Sequence, residues 1–346
     1  MNTAPPRLWQ GIPGIERTPG GRLFVTWFSG GEREPAPDNT IFLTTSDDAG
    51  RTFAAPVVMA WPERGMRTFD PTLWLDPVGR LWLIYNRGNK ETATHGVFAR
   101  RCDQPDAPTP TWSAEWRVGF DAAPFSFRMN KLTVLATGEW LLPVTHAREV
   151  THDWFARATQ LQGVAISSDA GQSWRLEGAV VAPPWALENM LVELRDGRVW
   201  MLIRTGAGVV WESFSADRGR TWSPGVPTTI ANPGSRFFIR RLSSGNLLLV
   251  NHYRFTGRSH LTAQLSTDDG QTWNEGLLLD ERANVSYPDG VQDASGLIWL
   301  VYDRDRGGAG EILLATCREA DILAGRLVSS GARLKVSVDR LCPGTG

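Results

Sequence analysis

A tyrosine and a glutamate stand in two short, distant segments of this 346-residue chain, where they could carry out covalent catalysis together. Tyr287 lies in Val-Ser-Tyr-Pro-Asp-Gly, and Glu188 lies in Leu-Glu-Asn-Met-Leu-Val-Glu-Leu. A neutral phenol is a poor nucleophile because its pKa is about 10. A carboxylate within hydrogen-bond reach can accept the phenol proton as the oxygen attacks. The two residues therefore suit a nucleophile and its base, provided that the fold brings them together.

A repeated phrase indicates which fold positions these residues. Each copy has a small or polar residue, a glycine and a strongly apolar run, and it follows another short apolar run, which predicts a β-hairpin. The glycines of the six copies are Gly21, Gly79, Gly138, Gly197, Gly245 and Gly296. Strand-built repeats of about 40–60 residues are typical of β-propellers with one blade per repeat. The sequence predicts an all-β, six-bladed β-propeller that spans residues 1–346 as one domain. We expect the ring to close by pairing a segment near Leu8 with the last blade, whose final strand lies near residues 334–338.

A fixed distance from these glycines identifies residues that should converge on the propeller axis. The innermost strands run along the axis, so residues at one offset should form a ring on one face. Nine positions before the six glycines stand Ile12, Asp70, Met129, Glu188, Arg236 and Tyr287. Most of these side chains are ionisable, although strand entries with a structural role should be apolar. The ring predicts a polar-ligand site; the alternative is that its charges pair around a solvated channel mouth.

A second repeat has the pattern Ser-x-Asp-x-Gly-x-Thr/Ser-aromatic. Its aspartate can accept turn N–H groups and its glycine can take a positive φ, which predicts a tight turn between the third and fourth strands of a blade. The copies begin at Ser46, Ser167, Ser215 and Ser266. These segments resemble the Asp-box of the sialidase (neuraminidase) superfamily, whose fold is a six-bladed propeller.

The resemblance extends to four positions of the site. It implies that Tyr287 is the nucleophile, that Glu188 is its partner, and that Arg204 and Arg258 bind a substrate carboxylate. A tyrosine nucleophile is useful where an anionic substrate would repel a carboxylate, as in sialidases.

One position departs from the family pattern. The family's first blade begins with Arg-Ile-Pro, and that arginine is one of three that clamp the carboxylate; this chain has Gly11-Ile-Pro. Because bidentate arginine contacts are strong, the sequence predicts an incomplete clamp and slow cleavage of ordinary sialic acid glycosides. The candidates to replace the missing group are Arg236, Arg67 and Arg304. Further candidates for binding the sugar are Asp70, His146 and His252.

The general acid is expected in the loop of residues 30–39, because the family places an aspartate there. Asp38 is nearest to the family position, Glu34 is a rival, and Asp70 is a third option. A loop of this kind can bring an acid over the substrate and exclude water.

Composition excludes several other classes of protein. The chain has 36 basic and 37 acidic residues, so nothing predicts a nucleic-acid or membrane surface. Three scattered cysteines do not form a disulfide framework, and no secretory signal is visible, so a cytoplasmic location is expected. The histidines show no metal-binding spacing, so no metal or cofactor is expected. The expected partner is a carbohydrate substrate; the oligomeric state stays open.

Together these observations predict a sialidase-like retaining exo-glycosidase that removes a terminal acidic sugar through a tyrosyl intermediate. Two alternatives remain open. One is a polysaccharide lyase or another glycoside hydrolase on the same propeller, which the missing arginine favours and for which His146 or His252 could act as base. The other is a non-catalytic glycan-binding propeller.

Overall fold

The computed structural model describes residues 7–63, 65–89, 94–119, 125–127, 130–147, 160–183 and 185–341. Its strands form six antiparallel sheets, which confirms the predicted all-β, six-bladed propeller. Blades one to three contain β1 (Gln10–Arg17), β2 (Leu23–Ser29), β3 (Thr40–Ser46) and β4 (Val57–Ala60); β5 (Arg67–Leu75), β6 (Leu81–Asn89), β7 (Thr94–Cys102) and β8 (Trp116–Val118); β9 (Phe125–Phe127), β10 (Thr133–Val134), β11 (Trp140–Ala147), β12 (Gln160–Ser167) and β13 (Arg175–Val180). Blades four to six contain β14 (Leu187–Glu193), β15 (Val199–Arg204), β16 (Val209–Ser215) and β17 (Val226–Ala231); β18 (Phe238–Arg241), β19 (Leu247–His252), β20 (Leu261–Ser266) and β21 (Leu277–Asp280); β22 (Val285–Gln292), β23 (Ile298–Arg304), β24 (Glu311–Cys317) and β25 (Arg333–Arg340).

A short helix, α1 (Glu319–Ala324), precedes the last strand. Over the residues described, the chain has no helix with the length and apolar character needed to span a membrane.

The six repeat glycines occupy the turns between the two inner strands of each blade. Their φ angles lie between 81° and 98°, a region that residues with a β-carbon rarely adopt. The backbone therefore accounts for the glycine in every copy of the phrase. Because consecutive strands alternate in direction, the starts of the inner strands lie on the opposite face from these turns.

The four Asp-box turns join the two outermost strands of their blades, which matches the predicted third and fourth strands because β9 and β10 of blade three both pair with β11 as its innermost strand. In blade three, Asp169 Oδ1 accepts the backbone N–H groups of Gln172 and Ser173, and Oδ2 accepts the Ser173 hydroxyl. The Ser173 hydrogen bonds lower the pKa of Asp169 to about 2. The Asp-box aspartates therefore stabilise turns, and they lie on the same face of the propeller as the repeat glycines.

Packing between neighbouring blades forms the core. Between blades two and three, for example, the rings of Trp74 and Trp140 meet edge to face with centroids 4.6 Å apart, and both are buried. Aromatic pairs of this kind contribute about 0.5–1.5 kcal/mol beyond the area that they bury. These tryptophans hold adjacent sheets together and are not exposed to a ligand.

A charged cluster fills the axis. The buried Lys131 of blade three donates to Gly290 O of blade six at 3.0 Å and lies 3.2 Å from the Glu16 carboxylate of blade one and 3.4 Å from that of Asp289. Only a side chain that crosses the axis can bridge three such blades. Arg240 of blade five lies beside this group, since Glu16 and Asp289 both act on its charge. We call Lys131, Arg240, Glu16 and Asp289 the axial cluster.

Ring closure differs from the expectation. Blade six fills all its strand positions with β22–β25, and β25 includes the predicted residues 334–338. The segment near Leu8 therefore adds no strand to that sheet, and the predicted pairing is wrong. Closure instead uses hydrogen bonds: Arg7 donates to Asp339, and Gln10 donates from Nε2 to Gly310 O at 2.6 Å.

Candidate active site

Four inner strands begin with the same irregularity, a β-bulge in which two residues oppose one. The first residue of each bulge has a left-handed backbone, with φ between 49° and 59°. These residues are Ile12, Asp70, Glu188 and Tyr287. Left-handed backbone costs a non-glycine residue about 1–2 kcal/mol. Bulges of this kind redirect side chains next to active sites, and here they turn the ring positions towards the axis.

The ring is formed as the nine-residue offset predicts, with two qualifications. Arg236 precedes β18 without a bulge, and Met129 lies outside the described residues. Asp70 and Glu188 are fully buried, and Tyr287 is 4% exposed.

Arg204 links the glutamate and the tyrosine. Its Nη1 donates to Glu188 Oε2 and, at 2.6 Å, to the Tyr287 hydroxyl. The Glu188 and Tyr287 oxygens thus both lie within hydrogen-bond distance of Arg204 Nη1. Among the described residues, the hydrogen bonds connect these two oxygens through Arg204. The sequence predicts a carboxylate within hydrogen-bond reach of the phenol, and here Arg204 bridges the two groups. Burial would lower the pKa of Arg204, but the charge of Glu188 and the hydrogen bonds to Glu188 and Tyr287 more than offset burial and raise it.

A second arginine shares the glutamate. Arg236 Nη2 donates to Glu188 Oε1 at 3.2 Å and lies 3.8 Å from Asp70 Oδ1. The Glu188 carboxylate is therefore held between two guanidinium groups, which orient it.

Among the described residues, four guanidinium groups surround the Tyr287 ring. Their distances to the ring centroid are 4.1 Å for Arg306, 4.7 Å for Arg236, 5.6 Å for Arg258 and 5.7 Å for Arg204. Burial lowers the pKa of Arg258, and the positive charges of Arg306 and Arg204 act in the same direction. So much positive charge in a partly desolvated place attracts an anion.

Arg306 is the residue that sequence reasoning missed. Its Nε donates to Asp303 Oδ2 at 3.0 Å, and its Nη2 donates to the Ser286 hydroxyl at 3.2 Å. It follows the end of β23 by two residues, in a loop that the count of nine residues before each glycine does not reach. Burial would lower the pKa of Arg306, but its neighbours, Asp303 first and Glu34 also, together more than offset burial and raise it.

Arg304 and Arg67, two further predicted arginines, contact other groups. Arg304 donates to Glu311 Oε2 at 2.9 Å, in a cluster that also contains Arg282, so it does not replace the missing arginine. Arg67 lies over the Phe69 ring at 3.9 Å and donates to Asn39 Oδ1 at 3.2 Å, beside the loop of residues 30–39.

The two histidines bond within their own blades. His146 Nε2 lies 2.9 Å from Gly178 O in the outer strand β13, and His252 Nδ1 lies 2.8 Å from Ser259 O. Burial lowers the pKa of His252 to about 4, so it is neutral at physiological pH. Their roles in sugar binding stay predictions.

The loop of residues 30–39 brings Glu34 to the site. Its Oε2 lies 3.7 Å from Arg306 Nη1. The Asp38 carboxylate instead packs on Gly31 at the base of the loop, with Oδ1 2.5 Å from where a β-carbon at residue 31 would lie. Of the three candidate acids, Asp70 is buried beside Arg236, and Glu34 is the loop carboxyl next to the arginines. Within the described part of the chain, no group of three or more His, Cys, Asp or Glu residues could hold a metal ion.

Known proteins resemble this chain in sequence and in fold. Residues 21–300 match the family described as the BNR repeat-like domain. A sialidase from Micromonospora viridifaciens is 26% identical over 329 residues, which are 86% of this chain and 50% of that protein. The chain thus spans about half the length of this curated relative.

Solved structures agree with the fold. The Hadza microbial sialidase Hz136 has a TM-score of 0.73 at 18% identity, covering 91% of this chain and 66% of its own. The intramolecular trans-sialidase from Ruminococcus gnavus, in complex with oseltamivir carboxylate, has a TM-score of 0.71 at 15% identity, covering 91% of this chain and 95% of its own. At such identities the likeness shows the fold alone. The family match, which spans most of the chain, shows that this protein belongs to the BNR repeat-like family, within the sialidase superfamily of six-bladed β-propellers.

Proposed function

We propose that this protein is a retaining exo-glycosidase of sialidase type that releases a terminal acidic sugar, sialic acid or a related ulosonic acid. The observation that carries the proposal is the arrangement around Tyr287: a buried phenol whose oxygen shares Arg204 with Glu188, under several guanidinium groups. Membership of the sialidase superfamily supports it.

In the first step the arginines bind the carboxylate of the sugar, and the Tyr287 oxygen attacks the anomeric carbon. Glu188 takes the phenol proton, which needs Arg204 to move its shared nitrogen towards the substrate carboxylate. Glu34 donates a proton to the departing oxygen. In the second step Glu34 takes a proton from water, which attacks the anomeric carbon, and the departing Tyr287 oxygen recovers its proton from Glu188. Two inversions give overall retention.

The state of the histidines favours a hydrolase over a lyase. A lyase needs a base that is effective near neutral pH, and a base with a pKa of about 4 is weak there. His252 has such a pKa, because it is buried, and His146 is engaged by the Gly178 carbonyl. Neither residue suits the abstraction of a proton from a uronic acid.

The test is a screen of aryl glycosides of sialic, other ulosonic and uronic acids, with NMR to assign the anomer first released. We expect cleavage of an acidic ulosonide with retention. Tyr287→Phe should abolish turnover and leave the circular dichroism spectrum unchanged, whereas Tyr253→Phe, a matched control, should remain active. A fluorinated acidic glycosyl fluoride, which slows the second step, should label Tyr287 in mass spectrometry. Inversion, or full activity of Tyr287→Phe, would rule out the mechanism.

A further inference from the structure

We infer that Arg306 supplies the third guanidinium group of the carboxylate clamp, in place of an arginine at residue 11. The inference rests on the proposed function, and it assigns the clamp to Arg204, Arg258 and Arg306. The clamp then has three arginines, and Gly11 of blade one leaves the space that Arg306 needs.

The first step of the argument is the space beside Gly11. A β-carbon at this position would lie 2.8 Å from both Cδ and Nε of Arg306 and 2.9 Å from Asp303 Oδ2. Carbon atoms do not approach so closely, and the atoms concerned are in the middle of the arginine side chain. Gly11 is not among the residues with positive φ. Glycine is therefore needed here for space, because Arg306 runs through the volume that a side chain at residue 11 would occupy.

The second step is the support of Arg306. Asp303 is fully buried and accepts Arg306 Nε at 3.0 Å and the backbone N–H of Ile12 at 2.7 Å. The Arg306 carbonyl accepts the N–H of Gln10 at 3.0 Å. Blade one thus binds the Arg306 carbonyl directly, and it fixes the guanidinium group through Asp303. A side chain fixed in this way loses little entropy when a ligand binds.

The third step concerns the Arg306 nitrogen that is available for a ligand. Nε and Nη2 are occupied by Asp303 and Ser286, whereas Nη1 points towards Glu34 at 3.7 Å. The side chain is 16% exposed, and it lies over the Tyr287 ring with Arg204 and Arg258 around the same ring. The N–H groups of Nη1 are therefore placed to bind an anion between the nucleophile and the general acid. A planar carboxylate on the anomeric carbon is the anion that fits this position.

The test measures binding separately from turnover. Calorimetry on the full chain would use N-acetylneuraminic acid and its methyl ester, in which the charge of the carboxylate is lost. We expect Arg306→Ala to bind the acid about 10- to 100-fold more weakly, the effect of losing a charged hydrogen bond, and to bind the ester as the wild type does. Gly11→Ala should weaken binding of the acid in the same direction, because the new methyl group displaces Arg306. Gly11→Arg combined with Arg306→Gly should recover most of the affinity.

Two controls match these changes. Gly307→Ala lies in the same loop, where a β-carbon meets nothing closer than 3.8 Å, and Arg304→Ala removes an arginine bound to Glu311. Both should bind the acid within about twofold of the wild type. If Gly11→Ala does not fold, Arg306→Gln decides, since it removes the charge and keeps a donor for Asp303.

The outcomes separate the two ideas. If the wild type cleaves acidic glycosides while Arg306→Ala binds the acid equally well, the inference is wrong and the proposed function stands. If binding of the acid depends on Arg306 but no glycoside is cleaved, the inference stands and the hydrolase proposal fails. If the wild type binds acid and ester equally, the carboxylate clamp itself is refuted.

Discussion

Replacing Lys131 with methionine should lower the free energy of unfolding by about 3–5 kcal/mol, the usual cost of removing one partner of a buried ion pair. The Lys131 side chain is 1% exposed and lies 3.2 Å from Glu16 and 3.4 Å from Asp289. With Arg240, these four side chains of the axial cluster sum to zero formal charge. Methionine fills a similar volume but leaves two buried carboxylates with one cation, and Gly290 O loses its donor.

The size of this loss can be expressed as a melting temperature. An unfolding entropy of about 2.1 cal/mol/K per residue gives about 0.7 kcal/mol/K for 346 residues. The expected decrease in Tm is therefore about 4–7 °C, measured by scanning calorimetry and checked by urea unfolding. Lys335→Met is the matched control: its ion pair with Glu281 is at the surface, so it should cost less than about 1 kcal/mol.

A result within about 1 kcal/mol of that control would refute the reasoning, because the axial charges would then be solvated. Adding Glu16→Gln to Lys131→Met should recover part of the loss by removing one unpaired charge. If the second change lowers stability further by as much as it does alone, the two residues are not coupled.

Three further predictions concern the site and the turns. Glu188→Gln should lower kcat about 10²–10⁴-fold in steady-state assays, because the phenol loses its proton acceptor; a retained kcat would assign the base elsewhere. Glu34→Gln should slow glycosides with poor leaving groups much more than activated aryl glycosides, and Asp38→Asn should change neither; the reverse pattern would make Asp38 the acid. Asp169→Asn should lower Tm at neutral pH, because the folded pKa of about 2 lies below the unfolded value of 3.8. That stabilisation is complete above pH 4 and is lost as pH falls through 2, so the Tm curves of variant and wild type should converge in acid, and parallel curves would contradict it.

The repeat made the fold and half of the site predictable. Glycine in each hairpin turn is a local requirement, so the turn can be located in the sequence. A bulge shared by four blades inserts the same extra residue each time, so a constant count still reaches Asp70, Glu188 and Tyr287 although the bulge itself leaves no pattern.

The other features of the site and of ring closure depend on contacts that do not repeat from blade to blade. Arg306 lies in a loop that no other blade repeats, and it meets Gly11 only because the first and last blades are neighbours. Residues 30–39 follow no strand alternation, so the directions of Glu34 and Asp38 could not be read from their spacing. The predicted closure near Leu8 failed because the C-terminal segment supplies a full set of strands.

Because the chain is synthesised from its N-terminus, the contact between blades one and six can form only after blade six has been made. A ribosome completes Glu188 and Arg204 with blade four, whereas Tyr287, the proposed nucleophile, and Arg306 emerge only with blade six. Asp303 can accept the Ile12 N–H, and Asp339 can accept Arg7, only when that blade docks on the first. A nascent chain that ends before β22 already contains Glu188, Arg204 and Arg236 but lacks Tyr287. Under the proposed function, turnover in a cell-free translation reaction should begin only once blade six has docked on blade one.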